Sequence, residues 1–399
     1  MHLIDTIVNK LVQFILSFVR PFLRSPLQLT FCGEGSTEQL VAHIMRSGYK
    51  KVLLVTDRPL VELGLAGRVI GPVEASGAEV VVYDGVLPDP TVEIVAGALA
   101  MYTQQNCDAV VGLGGGSSID TAKTVAAAAT NGGIQPIMGL FKVKNLPAPL
   151  FAIPTTAGTG SEASWFAVIS DSETHQKTGI GAPALLPKAT ALDPSLMVGL
   201  PRSITAATGM DALTHAIETF IAPAANQEVR SLSLPAAEII FSNLREAYDN
   251  GSNLEARESM AIASYYAGIS LNISAVGYVH AIAHQLGARY GTPHGLANAI
   301  VLPHVLDLNL EAVGPQLAEL ADAAGLCAAG DSDRVKAEKL VAAVRVLNDA
   351  LDIPVTLEAL DPSDIPALVK DAASEARTYS VPTVLTRDQI ASILNKLLA

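Results

Sequence analysis

Cysteine is scarce in this chain of 399 residues: there are three, and no two form a C-x-x-C pair. Cys32, Cys107 and Cys327 are odd in number and far apart, so they read as free, inert thiols of a reducing compartment rather than as a disulfide framework. Charge is sparse as well. Only 16% of residues are Asp, Glu, Lys or Arg, and 26 basic side chains against 39 acidic ones leave a formal net charge of −13. A deficit of that sign argues against nucleic acid or any other polyanion as the main partner and leaves a small bound cofactor compatible. Internal repeats, low-complexity tracts and sustained heptads are also missing, which sets aside solenoid and coiled-coil architectures.

Half of the residues are apolar, with 31 Gly and 23 Pro punctuating them, and this composition belongs to a folded globular protein. The length allows two cores, because single cores stop growing at roughly 250 to 300 residues. From Leu27 onward, short β-branched runs (LQLTF, KVLLVT, AEVVVY, DAVVGL, PLFAIPTT) alternate with helical stretches. That alternation predicts an α/β domain with a parallel sheet over residues 26–199. Pro194 and Pro201 mark the expected hinge. Beyond them TGMDALTHAIETFI, RSLSLPAAEIIFSNLREAY, ESMAIASYYAGISLNI and VHAIAHQLGARY carry helical periodicity alone. Residues 200–399 therefore read as an all-helical domain, with a cleft expected between the two.

Residues 1–25 stand apart. The run LIDTIVNKLVQFILSFVRPFL at 3–23 is apolar, yet Asp5, Lys10 and Arg20 interrupt it, which disfavours a membrane span, and no small-residue cleavage site follows. Ile4, Val8, Leu11, Ile15, Phe18 and Phe22 share one helical face, predicting an amphipathic helix that ends near Pro21. Lys10, Arg20 and Arg24 against Asp5 give 3 − 1 = +2, a sign suited to an anionic lipid surface. Peripheral contact with the inner face of the membrane and packing within a homo-oligomer both remain open for a protein otherwise expected to be cytoplasmic.

DAVVGLGGGSSIDTAK places Gly114, Gly115 and Gly116 between a strand and a helix, where a close backbone and free N–H groups suit a phosphate. It departs from G-x-G-x-x-G, because the last position is Ser117, which with Asp120 fits an N-capping pair. Asp57 follows KVLLVT at a strand's carboxyl end, where an acid accepts hydrogen bonds from ribose hydroxyls and repels an added 2′-phosphate, favouring NAD over NADP. In IPTTAGTGSE, Thr155, Thr156 and Thr159 form a second polar loop able to touch phosphate or nicotinamide amide; a capped helix start accounts for it equally well.

Chemistry concentrates further on. Asp211 and His215 lie four apart in an Ala-rich helix and project from one face, His280 and His284 repeat the spacing, and His294 follows the turn Gly291-Thr292-Pro293. One carboxylate and several imidazoles suit Fe(II) or Zn(II), with affinity order favouring zinc and availability able to reverse it.

GGGSSIDTAK, PTTAGTGSE, TGMDALTHAIE and VHAIAHQLGARYGTPHG together resemble the iron-dependent (group III) alcohol dehydrogenase family, and the resemblance covers residue 27 to the end. It implies a dehydroquinate-synthase-like fold, metal ligands at Asp211, His215, His280 and His294, and His284 beside the metal as an orienting or proton-relay group. It also implies NAD contacts at Asp57, Gly115, Gly116, Ser117, Thr155, Thr156, Thr159 and Lys177, the last of which no local pattern singles out. In the lactaldehyde reductase branch an Asn stands where this chain has Phe166, and a Phe where it has Leu271. With Trp165 and Ile273, these positions point to a medium or long aliphatic primary alcohol rather than a small polyol. The rival is a dehydroquinate-synthase-like or glycerol-dehydrogenase-like enzyme acting on a polyol. A lyase gripping an acidic substrate would call for several basic residues, and the metal motif offers only Arg289.

Overall fold

The computed structural model describes residues 2–19, 27–172 and 177–399. The chain divides into two compact units. One runs to Gly199 and takes in Ser252–Ala261; the other holds the N-terminal helix, Leu200–Gly251 and Ile262–Ala399.

In the first unit the strands are β1 (Leu29–Cys32), β2 (Lys51–Val55), β3 (Glu79–Tyr83), β4 (Ala109–Gly114), β5 (Leu150–Pro154), β6 (Phe166–Ser170), β7 (Lys177–Gly181) and β8 (Ala189–Leu192). Six of them form a parallel sheet in the order β1-β8-β5-β4-β2-β3. Period-two alternation sorts its side chains onto two faces. Leu53, Val55 and Val110 pack with α5 (Val92–Gln104) and α6 (Gly116–Thr130), whereas Val52, Leu54, Val111 and Leu113 pack with α2 (Ser36–Arg46) and α4 (Gly67–Ala75). Both faces are covered, which is why β4 and β5 are buried along their whole length. Between β2 and α4 lies the short α3 (Arg58–Glu62).

Strands β6 and β7 form a separate antiparallel hairpin, with Phe166 opposite Gly181 and Ser170 opposite Lys177. Nothing in the sequence pattern announced it. The hairpin is held from outside: Val168 N donates to Asp120 Oδ2 at 2.9 Å, and Lys123 Nζ donates to the Phe166 carbonyl at 2.6 Å.

Among its described residues the second unit has helices and no strand, apart from a single β-bridge between Leu357 and Leu398: α7 (Arg202–Ile221), α8 (Gln227–Asp249), most of α9 (Leu254–Ser274), α10 (Tyr278–Tyr290), α11 (His294–Asn309), α12 (Gly314–Ala323), α13 (Asp333–Ala350), α14 (Ile365–Glu375) and α15 (Arg387–Lys396). From Gly209 to Ile221 every residue of α7 is buried, the mark of a helix at the centre of a bundle. A Cβ at Gly295 would sit 2.1 Å from the Ala207 carbonyl oxygen, so only glycine lets α11 approach α7 this closely.

The N-terminal helix α1 (His2–Val19) docks with polar residues inward. Asp5 and Asn9 are buried, while Ile4, Ile7 and Leu11 are each more than half exposed. The predicted end near Pro21, with Arg20, Phe22 and Arg24, lies outside the described residues. No described helix is long and apolar enough to cross a membrane. Of the three free thiols only Cys107 is buried; Cys32 is exposed and Cys327 partly so. All three are raised in pKa with burial the first cause, which favours the protonated thiol.

Candidate metal centre and cofactor turn

Helix α7 carries Asp211 and His215 one turn apart, α10 carries His280 and His284, and α11 begins at His294. Asp211 Oδ1 lies 3.7 Å from His215 Nε2, 3.6 Å from His280 Nε2 and 3.4 Å from His294 Nε2. Ligand atoms from all four residues fall within 4.8 Å of one another, and only His294 is not buried. Ligands about 2.1 Å from a tetrahedral ion stand about 3.4 Å apart, so the carboxylate-to-imidazole spacings match a chelate within a few tenths of an ångström.

The amide of Asn298 strengthens that fit. Its Nδ2 donates to Asp211 Oδ1 at 2.7 Å and also lies 3.2 Å from both His280 Nε2 and His294 Nε2. Asn298 Oδ1 is buried without a hydrogen-bond partner among the described residues. Burial pushes the Asp211 carboxyl up, but His215, His294 and His280 outweigh it and hold it far below the ordinary carboxylate range.

A carboxylate outside the chelate orients His280. Glu218, seven residues after Asp211 on α7, accepts from His280 Nδ1 at 2.7 Å and from the backbone N–H groups of Gly277 and Val279, each at 2.8 Å. It therefore caps the start of α10 while turning His280 Nε2 toward Asp211. Burial lowers the His280 pKa, but hydrogen bonds to Asp211 and Glu218 lift it to about 9. The spacing from Asp211 and His215 in TGMDALTHAIE was the available signal for Glu218, since position 218 shares their helical face.

His284 stands outside the chelating set and beside it, its ring centroid 5.2 Å from that of His294 and 5.9 Å from that of His280. Its Nδ1 donates to Glu375 Oε1 at 2.5 Å, and the same carboxylate accepts from the Tyr379 hydroxyl at 2.5 Å and from Gln285 Nε2 at 2.6 Å. Burial raises the Glu375 carboxyl, but the bonds from His284 and Tyr379 prevail and hold it below its ordinary value. With Nδ1 committed as a donor, His284 presents Nε2 as an acceptor. Glu375 and Tyr379 lie some 90 residues away in sequence, and no local pattern points to them.

In the other unit the glycine turn meets the threonine loop. A Cβ on Gly116 would stand 2.8 Å from Thr159 Cγ2, and one on Gly115 would stand 3.4 Å from Thr156 Oγ1. Thr155 N donates to the Gly114 carbonyl at 3.0 Å. Gly115, not Ser117, is the N-cap of α6, and no side chain caps it. The expected Ser117–Asp120 pair does not form, because Asp120 accepts from Ser161 Oγ and Val168 N instead. No side chain therefore caps the first N–H groups of α6, Ser117 among them. Asp57, two residues past the end of β2, caps α3, its Oδ1 accepting from Leu60 N at 3.0 Å. Lys177 opens β7 in an ion pair with Asp89 at 2.6 Å.

Beneath this turn lies a buried polar cluster absent from the sequence reading. Lys123, fully buried on α6, donates to Ser161 Oγ at 2.9 Å as well as to Phe166 O and lies 3.8 Å from Asp120. Burial lowers the Lys123 pKa to about 8 and raises that of the neighbouring Glu162 to about 7.

The chain matches the iron-containing alcohol dehydrogenase family over residues 28–194 and the C-terminal part of the Fe-containing alcohol dehydrogenase family over residues 205–398. It is 39% identical over 373 residues to alcohol dehydrogenase 4 of Saccharomyces cerevisiae, covering 92% of this chain and 96% of that one. Identity to the 1,3-propanediol dehydrogenase of Klebsiella pneumoniae is 40%, with the same two coverages of 92% and 96%. A crystal structure of a 1,3-propanediol oxidoreductase superimposes with a TM-score of 0.90 at 38% identity, covering 93% of this chain and 98% of that chain.

Proposed function

The chain belongs to the iron-containing alcohol dehydrogenase family, and on that footing we propose an NAD-dependent enzyme that interconverts primary alcohols and aldehydes. The observation that carries this reading is Asp211 Oδ1 faced by three imidazole Nε2 atoms at 3.4 to 3.7 Å. Asp211, His215, His280 and His294 would hold a divalent ion, Fe(II) with Zn(II) as the alternative. When bound, the ion supplies Lewis-acid polarisation of the substrate oxygen, and NAD supplies the hydride acceptor.

The protein's own residues do the rest. Glu375 fixes the tautomer of His284, whose Nε2 takes the hydroxyl proton of the alcohol and returns it in the reverse direction. Gly115, Gly116 and Ser117 offer backbone donors for the pyrophosphate of NAD, Thr155, Thr156 and Thr159 line the adjoining loop, Asp57 serves the ribose hydroxyls, and Lys177 adds a positive charge. Leu271 and Ile273, half-buried near the end of α9, support an aliphatic substrate of medium or long chain, and Phe166 in place of a polar residue supports it further.

The outer face of α1 supports peripheral contact with an anionic lipid surface, where such alcohols dissolve. Ile4, Ile7 and Leu11 point outward, Lys10 is exposed, and Asp5 is neutralised by Arg377, so the segment faces out with basic character.

The test is NADH formation by anaerobically Fe(II)-loaded protein with a series of primary alcohols. kcat/KM rises from ethanol through octanol on this reading; a flat series, or a polyol turned over faster than any of them, overturns the chain-length assignment. His280→Ala loses metal and turnover together, and a variant keeping both would show that the chelate is misassigned.

A further inference from the structure

We infer that α1, which precedes the family match starting at residue 28, is a positioning element for His284. The inference rests on the proton-transfer role assigned to His284 above.

Asp5, Asn9 and Gln13 are spaced four apart on one face of α1, and that face is turned to the chain that follows α14. Asn9 Nδ2 donates to the backbone carbonyls of Ala376, Arg377 and Tyr379 at 3.4, 3.2 and 2.9 Å. Gln13 Nε2 donates to the Tyr379 carbonyl at 2.9 Å, and Asp5 accepts from Arg377 Nε at 2.7 Å. The last carbonyls of a helix have no partners within it and must find donors elsewhere. Here the amides of α1 supply donors to the short 3-10 turn Ala376–Thr378 that prolongs α14, and to Tyr379 beyond it.

Two of the residues that bracket this turn hold the proton-transfer group. Glu375 is the last residue of α14 and accepts from His284 Nδ1, and Tyr379 donates its hydroxyl to the same Glu375 oxygen. Because both side chains hang on the backbone that α1 grips, the register of Glu375 against His284 depends on α1 remaining seated. Elsewhere Glu375 is fixed by Gln285 Nε2, itself on α10, which ties the carboxylate to the helix that must present His284 but leaves the far side of the turn to α1.

The experiment uses the full-length Fe(II)-loaded enzyme and the variants Asn9→Ala/Gln13→Ala and Asn9→Asp, the latter keeping shape while removing the donor. Expected are unchanged metal content and KM, a fall in kcat of about 10- to 100-fold, and a solvent deuterium isotope effect on kcat larger than that of the unaltered enzyme, as proton transfer becomes limiting. Asn9→Ala/Gln13→Asn tests rescue: a shorter donor restores part of kcat relative to Asn9→Ala/Gln13→Ala. His284→Ala runs in parallel. If it leaves kcat and the isotope effect unchanged, the reading of His284 itself fails. If His284→Ala is impaired while both Asn9 variants match the unaltered enzyme, α1 plays no positioning part. Loss of metal together with activity in both Asn9 variants assigns α1 to the stability of the whole unit and likewise overturns the inference.

Discussion

Glu218 satisfies two needs with one carboxylate, and its removal separates them. Glu218→Gln keeps the shape but replaces one acceptor oxygen by an NH2 that cannot accept from His280 Nδ1 or a backbone N–H. Loss of such an orienting partner weakens metal binding by about 10- to 100-fold, which titration of the apo-protein with Fe(II) or Zn(II) measures directly. The proton balance sets the accompanying pH dependence. His280, lifted to about 9, carries a proton near neutrality that the ion must displace. Affinity therefore increases as pH rises toward 9 and diminishes as pH falls, and the slope flattens in Glu218→Gln, where less holds that proton. Spacing offered five candidate ligands and the family resemblance narrowed them to the four whose donor atoms the fold brings together, and Glu218 could have been read from its place on the face of Asp211 and His215. Asn298, four residues after His294, shares its helical face but carries no charge to attract notice. Glu375 and Tyr379 were illegible, because only tertiary folding brings them to His284.

At the scale of elements, the parallel sheet and its helices were readable because β-branched runs and apolar periodicity change along the chain in step with the structure. The hairpin β6-β7 was not. Its strands are short, β7 contains two glycines, and its position is set by Asp120 and Lys123 from α6 rather than by local propensity. Lys123 is thus the tie between the glycine turn's helix and the loop and hairpin that follow the threonines. Lys123→Met removes one member of a buried charged set and leaves Asp120 and Glu162 uncompensated, which costs roughly 3 kcal/mol or more. Thermal unfolding should show the loss, and NADH fluorescence titration should show weaker cofactor binding with metal content unaltered; equal stability would assign the cluster no structural weight. Helix α1 was legible as an amphipathic helix, but not which of its faces the chain would bury. Periodicity reports where apolar residues cluster, whereas the carbonyls that claim Asn9 and Gln13 come from residues 376–379 and leave no trace in the first 25 positions.

For the whole molecule, two units of different class were foreseen, and the structure adds that Ser252–Ala261 of α9 cluster with the α/β unit. No composition signal divides a single helix between cores. The outward stripe of α1 makes a prediction that leaves its inner face untouched: Ile7→Ser/Leu11→Ser reduces flotation with vesicles containing phosphatidylserine, while turnover of a water-soluble alcohol is unchanged. Equal flotation of both proteins removes the lipid surface as occupant of that face. A shift in assembly state by light scattering, with flotation unaffected, assigns it to a second copy of the chain.

Asn298 has a consequence for how the enzyme is handled. The amide of Asn298 reaches Asp211 and the rims of two imidazoles at once, so it ties together the three side chains that would share an ion. Nitrogen and carboxylate donors of this kind rank divalent cations by the general affinity order rather than by any selective shape, so on the proposed reading the metal recovered with the purified protein would follow supply during growth and lysis, and reconstitution under defined conditions would reveal the preference.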